Sequence, residues 1–152
     1  MKTTNKIVQL STVILNTAFI AAMLFIAFIL VPFWKASEPQ TFLNWFSVYS
    51  GNIGSFMIPL GPGVLILAIL ALVLNKENKM LWTLTVILTL INVLYFPLYF
   101  LPTNTSFEEQ AIAINKVGPE LNNWLKYHWQ RTFFALGALI TSVLAIFKSF
   151  QK

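Results

Sequence analysis

The chain has 152 residues, 57% of them hydrophobic and only 10% charged, with a mean hydropathy of +0.73. A soluble domain of this size carries about 25% charged residues, so the composition excludes an ordinary water-soluble domain, and the absence of cysteine excludes disulfides, thiolate nucleophiles and Cys-ligated zinc or iron–sulfur centres. The net charge of +5 comes from scattered bases at the edges of apolar runs, which is the footprint of membrane topology and not of nucleic-acid binding.

A hydrocarbon core of about 30 Å takes roughly 20 helical residues to cross. The first apolar run, 7–31, meets that length and exceeds the roughly 7–15 residues of a secretory h-region. Pro32-Phe33-Trp34 follows it without a small-residue cleavage pattern, so it reads as a span. Thr12 and Asn16 share one of its faces, and Pro32 is expected to end or kink it. After it, Phe42, Trp45, Phe46 and Tyr49 recur at i, i+3, i+4 and i+7, the spacing of one helical face. A short interfacial helix between spans one and two is expected there, with Gly51 and Gly54 turning the chain back into the bilayer.

Span two, 56–74, carries Pro59, Gly61, Pro62 and Gly63, which predict a kink or an unwound turn. The loop 75–79 is short enough to make spans two and three antiparallel neighbours. Span three, 80–101, sets Thr85, Thr89 and Asn92 on one face. Asn92 and Asn16 lie at similar depths, so a hydrogen bond between them across the bundle is expected. Residues 102–118 read as the longest outer loop. Pro119 then suits a helix's first turn, and an unbroken helix is predicted from there to about Phe150, crossing the bilayer over about 129–147. The expected fold is all-α: a single domain, 1–152, forming a four-helix transmembrane bundle with an extended last helix.

Lys2, Lys6, Lys76, Lys79, Lys148 and Lys152 face only Glu77 at the termini and the 75–79 loop, whereas the other two loops balance four bases against four acids. Lys and Arg favour the cytoplasmic side, so both termini are expected in the cytoplasm, with the chain integral to a membrane, a bacterial inner membrane being the expected one. No aspartate occurs, and all five glutamates lie outside the apolar runs, which argues against a proton-coupled carrier built on intramembrane carboxylates.

On the last helix, Trp124, His128 and Arg131 fall at i, i+4 and i+7, preceded by Glu120 on the same face. A permanently charged Arg at the start of a span must face protein, water or a headgroup. Arg131 therefore reads either as a functional cation or as an anchor pairing Glu120 or a loop carbonyl. His128 reads either as a proton acceptor or as an interfacial histidine bonded to a carbonyl. Asn16 and Asn92 read as structural polar groups joining helices. A lone histidine supports no histidine-rich metal site, and no metal or cofactor is expected.

The segment Trp124-x-x-Tyr127-His128-x-x-Arg131-Thr132 resembles the Trp-x-x-Trp-Asn-x-x-Arg-Thr signature of the DUF1772, or anthrone oxygenase-like, membrane family. Val31-Pro32 closing span one and Leu101-Pro102-x-Asn104 after span three resemble it too. Tyr127 stands where that signature has Trp, and His128 where it has Asn. The resemblance implies a cofactor-independent oxygenase-like protein acting on a hydrophobic aromatic, anthrone- or quinone-type substrate at the extracytoplasmic end of the bundle. In that chemistry a base removes the acidic carbon-bound proton and the enolate reacts with dioxygen. His128 and Arg131 would be the catalytic base and the oxyanion stabiliser. Asn104, Trp34, Trp45, Trp124 and Tyr127 would bind the ring. The alternative is a non-catalytic protein that binds a lipid or hydrophobic small molecule, or stabilises a partner. The partners expected on either reading are the bilayer and a hydrophobic small molecule, with the oligomeric state open.

Reporter insertions within 107–123 test the orientation: alkaline phosphatase placed there is expected to be active, and a cytosol-dependent fluorescent protein dark.

Overall fold

Proline removes a backbone N–H and crowds the carbonyl four residues back, yet the helices here run through their prolines. In the computed structural model, which describes residues 3–75 and 77–150, α1 (Thr3–Phe25) passes through a π-helical turn (Ile26–Leu30) into α2 (Val31–Ala36). The helix α3 (Pro39–Leu74) follows, then α4 (Lys79–Tyr95), a second π turn (Phe96–Phe100), α5 (Leu101–Glu108) and α6 (Ile114–Phe150). Lys2, Lys76 and Lys152, which entered the charge reading, lie outside the described residues.

Each π turn stands immediately before an apolar-proline pair, Val31-Pro32 or Leu101-Pro102. The Val31 N–H bonds the Ile26 carbonyl and the Leu101 N–H bonds the Phe96 carbonyl, the i→i+5 pattern of a widened turn. That extra residue gives each proline ring room, so Pro32 does not end span one, and the expected loop after span three shrinks to residues 109–113, where Gln110 takes a positive φ of 53°. The interfacial helix expected at 39–50 forms, but it is continuous with span two as the 36-residue α3. The chain does not turn at Gly51 or Gly54, and no turn unwinds at Pro59–Gly63; both prolines are exposed on the helix surface. The last helix begins five residues earlier than Pro119 and spans 37 residues, about 56 Å at about 1.5 Å per residue.

Four helical stretches, Thr3–Ala36, Pro39–Leu74, Lys79–Glu108 and Ile114–Ser149, are long and apolar enough to cross a membrane. They pack in a ring: α1 against α3, α3 against α4, α4 against α6, and α6 back against α1. Ile7, Phe28, Val73, Leu98, Phe133 and Phe147 stay exposed on the outside, while Thr12, Asn16, Thr85, Thr89, Asn92 and Ser142 are buried. This inverted pattern suits lipid as solvent and an integral membrane protein.

The start of α1, the end of α3, the start of α4 and the end of α6 lie at one end of the bundle. There the Asn5 and Asn75 amides exchange two hydrogen bonds of 3.1 Å, Gln9 donates to Asn5 at 3.0 Å, and Asn78 donates to the Ala145 carbonyl and Ser149 Oγ, both at 3.1 Å. At the opposite end α2, α5 and the first turns of α3 and α6 close a buried aromatic cap of Trp34, Phe42, Phe46, Phe100, Phe107 and Trp124. Of the predicted aromatic face, Phe42 and Phe46 turn into this cap while Tyr49 remains exposed.

The two asparagines at mid-depth do not bond each other. Asn92 Nδ2 donates to the Arg131 carbonyl at 2.6 Å, and Asn16 Nδ2 to the Ala135 carbonyl at 3.2 Å. Both therefore tie their helices to successive turns of α6. Asn16→Leu and Asn92→Leu are each expected to lower stability by about 0.6–1.7 kcal/mol, read from reversible unfolding in bicelles.

Candidate functional site

Side chains on a helix lean toward its N-terminus, and the N-terminal part of α6 lies at the capped end. Arg131 therefore reaches from mid-bundle toward the cap and not toward the opposite end. Its guanidinium carbon sits 4.1 Å from the centroid of the Phe100 ring, and Phe100 is the last residue of the second π turn. Its Nη2 lies 3.1 Å from His128 Nδ1. Arg131 is 8% exposed and His128 fully buried. No carboxylate pairs Arg131 among the described residues. Glu120, the partner considered from the sequence, instead accepts from Tyr99 Oη at 2.7 Å and from Asn123.

The His128 ring is held from two sides. Its Nε2 lies 2.9 Å from the Met23 carbonyl on α1. That carbonyl can only accept, so Nε2 carries the proton; a guanidinium can only donate, so Nδ1 is the bare acceptor. The neutral Nε2–H tautomer satisfies both bonds, and it leaves no free nitrogen on the ring. Trp124 stacks on the imidazole at 4.9 Å and 12°, and its Nε1 donates to Asn104 Oδ1 at 2.9 Å. Trp34 meets Trp124 edge-on at 5.6 Å. Trp124, His128, Arg131, Asn104 and Trp34 are thus brought together as one continuous cluster.

Two expected ring-binding residues, Trp45 and Tyr127, pack at its margin. Trp45 is half-buried behind Trp34, at 5.7 Å, and packs toward Phe33 and Tyr49. Tyr127 occupies an adjacent face of α6, its ring tilted by 41° against Tyr99 at 4.1 Å, in a groove that includes Leu94 and Tyr95. One helical position separates Tyr127 from His128, and about 100° of helix rotation sends their side chains to different faces.

Two small cavities adjoin the cluster. One, about 60 Å³, is lined by Trp34, Ser50, Met57, Phe100, Asn104 and Arg131 among others. The second, about 90 Å³, lies between α3 and α4 and is lined by Gly61, Pro62, Asn92, Val93, Pro97 and Arg131 among others. Met57, Ile58, Phe96 and Arg131 line both, so the guanidinium stands where the two spaces meet. His128 lines neither.

Ser50, Met57, Phe96 and Phe100 were not anticipated from the sequence. The only signal for Phe100 is its place two residues before Pro102, which becomes informative once the widened turn is seen. Among the described residues no cluster of three or more His, Cys, Asp or Glu could hold a metal ion.

Removing the imidazole strips the Arg131 guanidinium of its one hydrogen bond among the described residues. His128→Leu is expected to cost at least about 2 kcal/mol. The double variant His128→Leu/Arg131→Met should recover part of that loss, because it no longer buries an unpaired charge; thermal unfolding of the detergent-solubilised variants reads both. Comparison with family models, curated proteins and solved structures returns no match, so the function is argued from this geometry.

Proposed function

We propose that the protein binds a hydrophobic small molecule or single-chain lipid between α3 and α4, with Arg131 meeting an oxygen acceptor on the ligand. The observation that carries this reading is a buried guanidinium, without a carboxylate partner, at the junction of two apolar-walled cavities. A buried charge needs a partner to be tolerated at membrane depth. The surrounding residues fit entry from the bilayer. Ile58, Pro62 and Pro97 are exposed on the α3 and α4 surfaces, and the cavity between these helices is apolar apart from Asn92 and Arg131.

The oxygenase-like reading has one specific observation in its favour. Arg131 presents N–H donors beside an aromatic wall of Trp34, Phe100 and Trp124, which suits an enolate oxygen on a flat ring. It requires His128 to release Arg131 before Nδ1 accepts a proton. Both readings require the cavities to widen, since spaces of about 60 and 90 Å³ are well below the roughly 300 Å³ at which ligand pockets for drug-sized molecules begin. Binding without chemistry leaves the bond between His128 and Arg131 in place. We place the capped end on the extracytoplasmic side, following the charge balance of the loops.

A photoreactive diazirine on an uncharged hydrocarbon chain should label Met57, Ile58, Phe96 or Pro97 in nanodiscs, read by peptide mapping. Gly61 is the blocking position: a Cβ there meets Phe19 at 3.4 Å and Val93 at 3.7 Å. Gly61→Leu should therefore suppress the labelling by about tenfold, and equal labelling of the variant defeats the binding reading. Ring oxidation of an anthrone that survives His128→Ala and Arg131→Ala defeats the enzymatic one.

A further inference from the structure

We infer that the ligand's head is a carboxylate: the cavity under the aromatic cap takes the head of a fatty-acid-like, single-chain amphiphile, and its chain lies in the adjoining cavity between α3 and α4. This rests on the binding reading above and names its ligand class.

The first argument is the donor set. Among the described residues, four buried side-chain polar atoms have no hydrogen-bond partner: Trp34 Nε1, Ser50 Oγ, Trp82 Nε1 and Arg131 Nε. Three of the four belong to residues lining the same cavity of about 60 Å³. Buried polar groups in folded proteins are nearly always satisfied, so this clustering is not a random scatter of packing defects. Indole and guanidinium nitrogens only donate, and a hydroxyl donates readily. The group they fit is one rich in acceptors.

The second argument is charge. Arg131 is the one formal charge lining either cavity, and no side chain of the described residues neutralises it. A carboxylate brings a single negative charge and the planar geometry that pairs with a guanidinium in a fork. A phosphate monoester carries up to two negative charges at neutral pH and would leave an excess at membrane depth. An alcohol, ester or quinone accepts hydrogen bonds but leaves the cation uncompensated.

The third argument is shape. The capped cavity is small, which suits a carboxyl group and excludes a glycerophospholipid headgroup. Met57, Ile58 and Phe96 are shared with the second cavity, whose walls are apolar and whose edge meets the exposed Ile58, Pro62 and Pro97. A chain following that path leaves the protein directly into lipid. His128 is a positioning residue here: anchored on Met23, it fixes Arg131 through Nη2, while the Nε–H has no partner among the described residues.

The test uses the full chain in phosphatidylcholine nanodiscs at alkaline pH. Palmitate labelled with 13C at the carboxyl carbon is compared with hexadecanol, methyl palmitate and hexadecyl phosphate by native mass spectrometry and carboxyl NMR. One palmitate should bind saturably with a shifted carboxyl resonance, at least about tenfold tighter than hexadecanol or methyl palmitate. Arg131→Gln should abolish the preference for the acid. Ser50→Ala and Trp34→Phe should each weaken palmitate several-fold, and these two variants keep the test open should Arg131→Gln fail to fold. Hexadecyl phosphate binding more tightly than palmitate overturns the carboxylate assignment. So does equal affinity for palmitate and hexadecanol, a result that leaves the hydrocarbon-binding reading standing. If neither these chains nor the uncharged photoreactive chain binds saturably, the binding reading falls as well.

Discussion

The interaction on which the capped half of the bundle depends is the burial of Arg131 without a carboxylate. A cation at the centre of a membrane helix costs about 2.5–3.5 kcal/mol even on insertion scales. Three features offset that cost. The Phe100 π face at 4.1 Å contributes about 0.5–2 kcal/mol, the upper end applying to desolvated pairs. The His128 bond is of the charged-group kind, worth about 1.5–3 kcal/mol. The lean of the side chain toward the cap takes the charge away from mid-membrane. Each feature draws in another helix. Phe100 is presented by the turn between α4 and α5, His128 is oriented by the Met23 carbonyl of α1, and the Arg131 backbone carbonyl is held by Asn92 of α4. The guanidinium thus sits at a point where α1, α4 and α6 must all be in register.

The two π turns extend this argument to the backbone. Each one lets a helix continue through an apolar-proline pair, so the chain stays helical beyond the expected ends of spans one and three and builds the aromatic cap from helix and not from loop. The second turn also spans Phe96 and Phe100, which line the capped cavity, and contains Pro97, which borders the lateral one. The same local relief of proline crowding that preserves the helix therefore shapes the wall around the cation. Opposite it, Gly61 leaves room beside Phe19 and Val93. The α3–α4 seam is the side of the ring where both facing helices carry proline at the same level.

Much of the architecture was legible because it follows from solvent. Three apolar runs of bilayer length, and a shorter fourth carried on a helix that begins outside it, specify four helices, and the Thr85–Thr89–Asn92 stripe specifies the buried face of α4. The i, i+4, i+7 spacing of Trp124, His128 and Arg131 likewise placed them on one face, and the structure shows that face buried. What was not legible depended on partners distant in sequence. Asn16 and Asn92 match in depth, but depth alone does not reveal that α6 carbonyls lie between them. Glu120 shares a face with Arg131, but Tyr99, brought close by the α4–α6 contact, takes it. Proline and glycine counts overstated the breaks at 32, 51–54 and 59–63, because a helix in lipid retains its remaining hydrogen bonds when the alternative is unsatisfied backbone. Ser50 carried no signal at all, since nothing in its neighbours distinguishes it from the other small polar residues of α3.

The contrast between the two ends of the interior gives the cap its functional meaning. At the end where α1 begins and α6 ends, amides pair reciprocally across α1 and the α3–α4 loop, and Asn78 reaches both a carbonyl and a hydroxyl of α6. These amides pair with one another and with carbonyls, and their effect is to lock helices together; the one unpartnered donor nearby is Trp82 Nε1. At the capped end the balance fails in one direction. Trp34, Ser50 and Arg131 hold donors that no protein acceptor uses, around a charge that no protein anion meets. Trp34 and Ser50 could be replaced by phenylalanine and alanine with little change in apolar packing, and such a core is the cheaper one in lipid. Among the described residues one buried donor is left over at the first end and three at the capped end, and those three belong to residues lining a single cavity. On the reading proposed above, that excess is met by an acceptor from outside the chain, which arrives from the bilayer through the opening between α3 and α4.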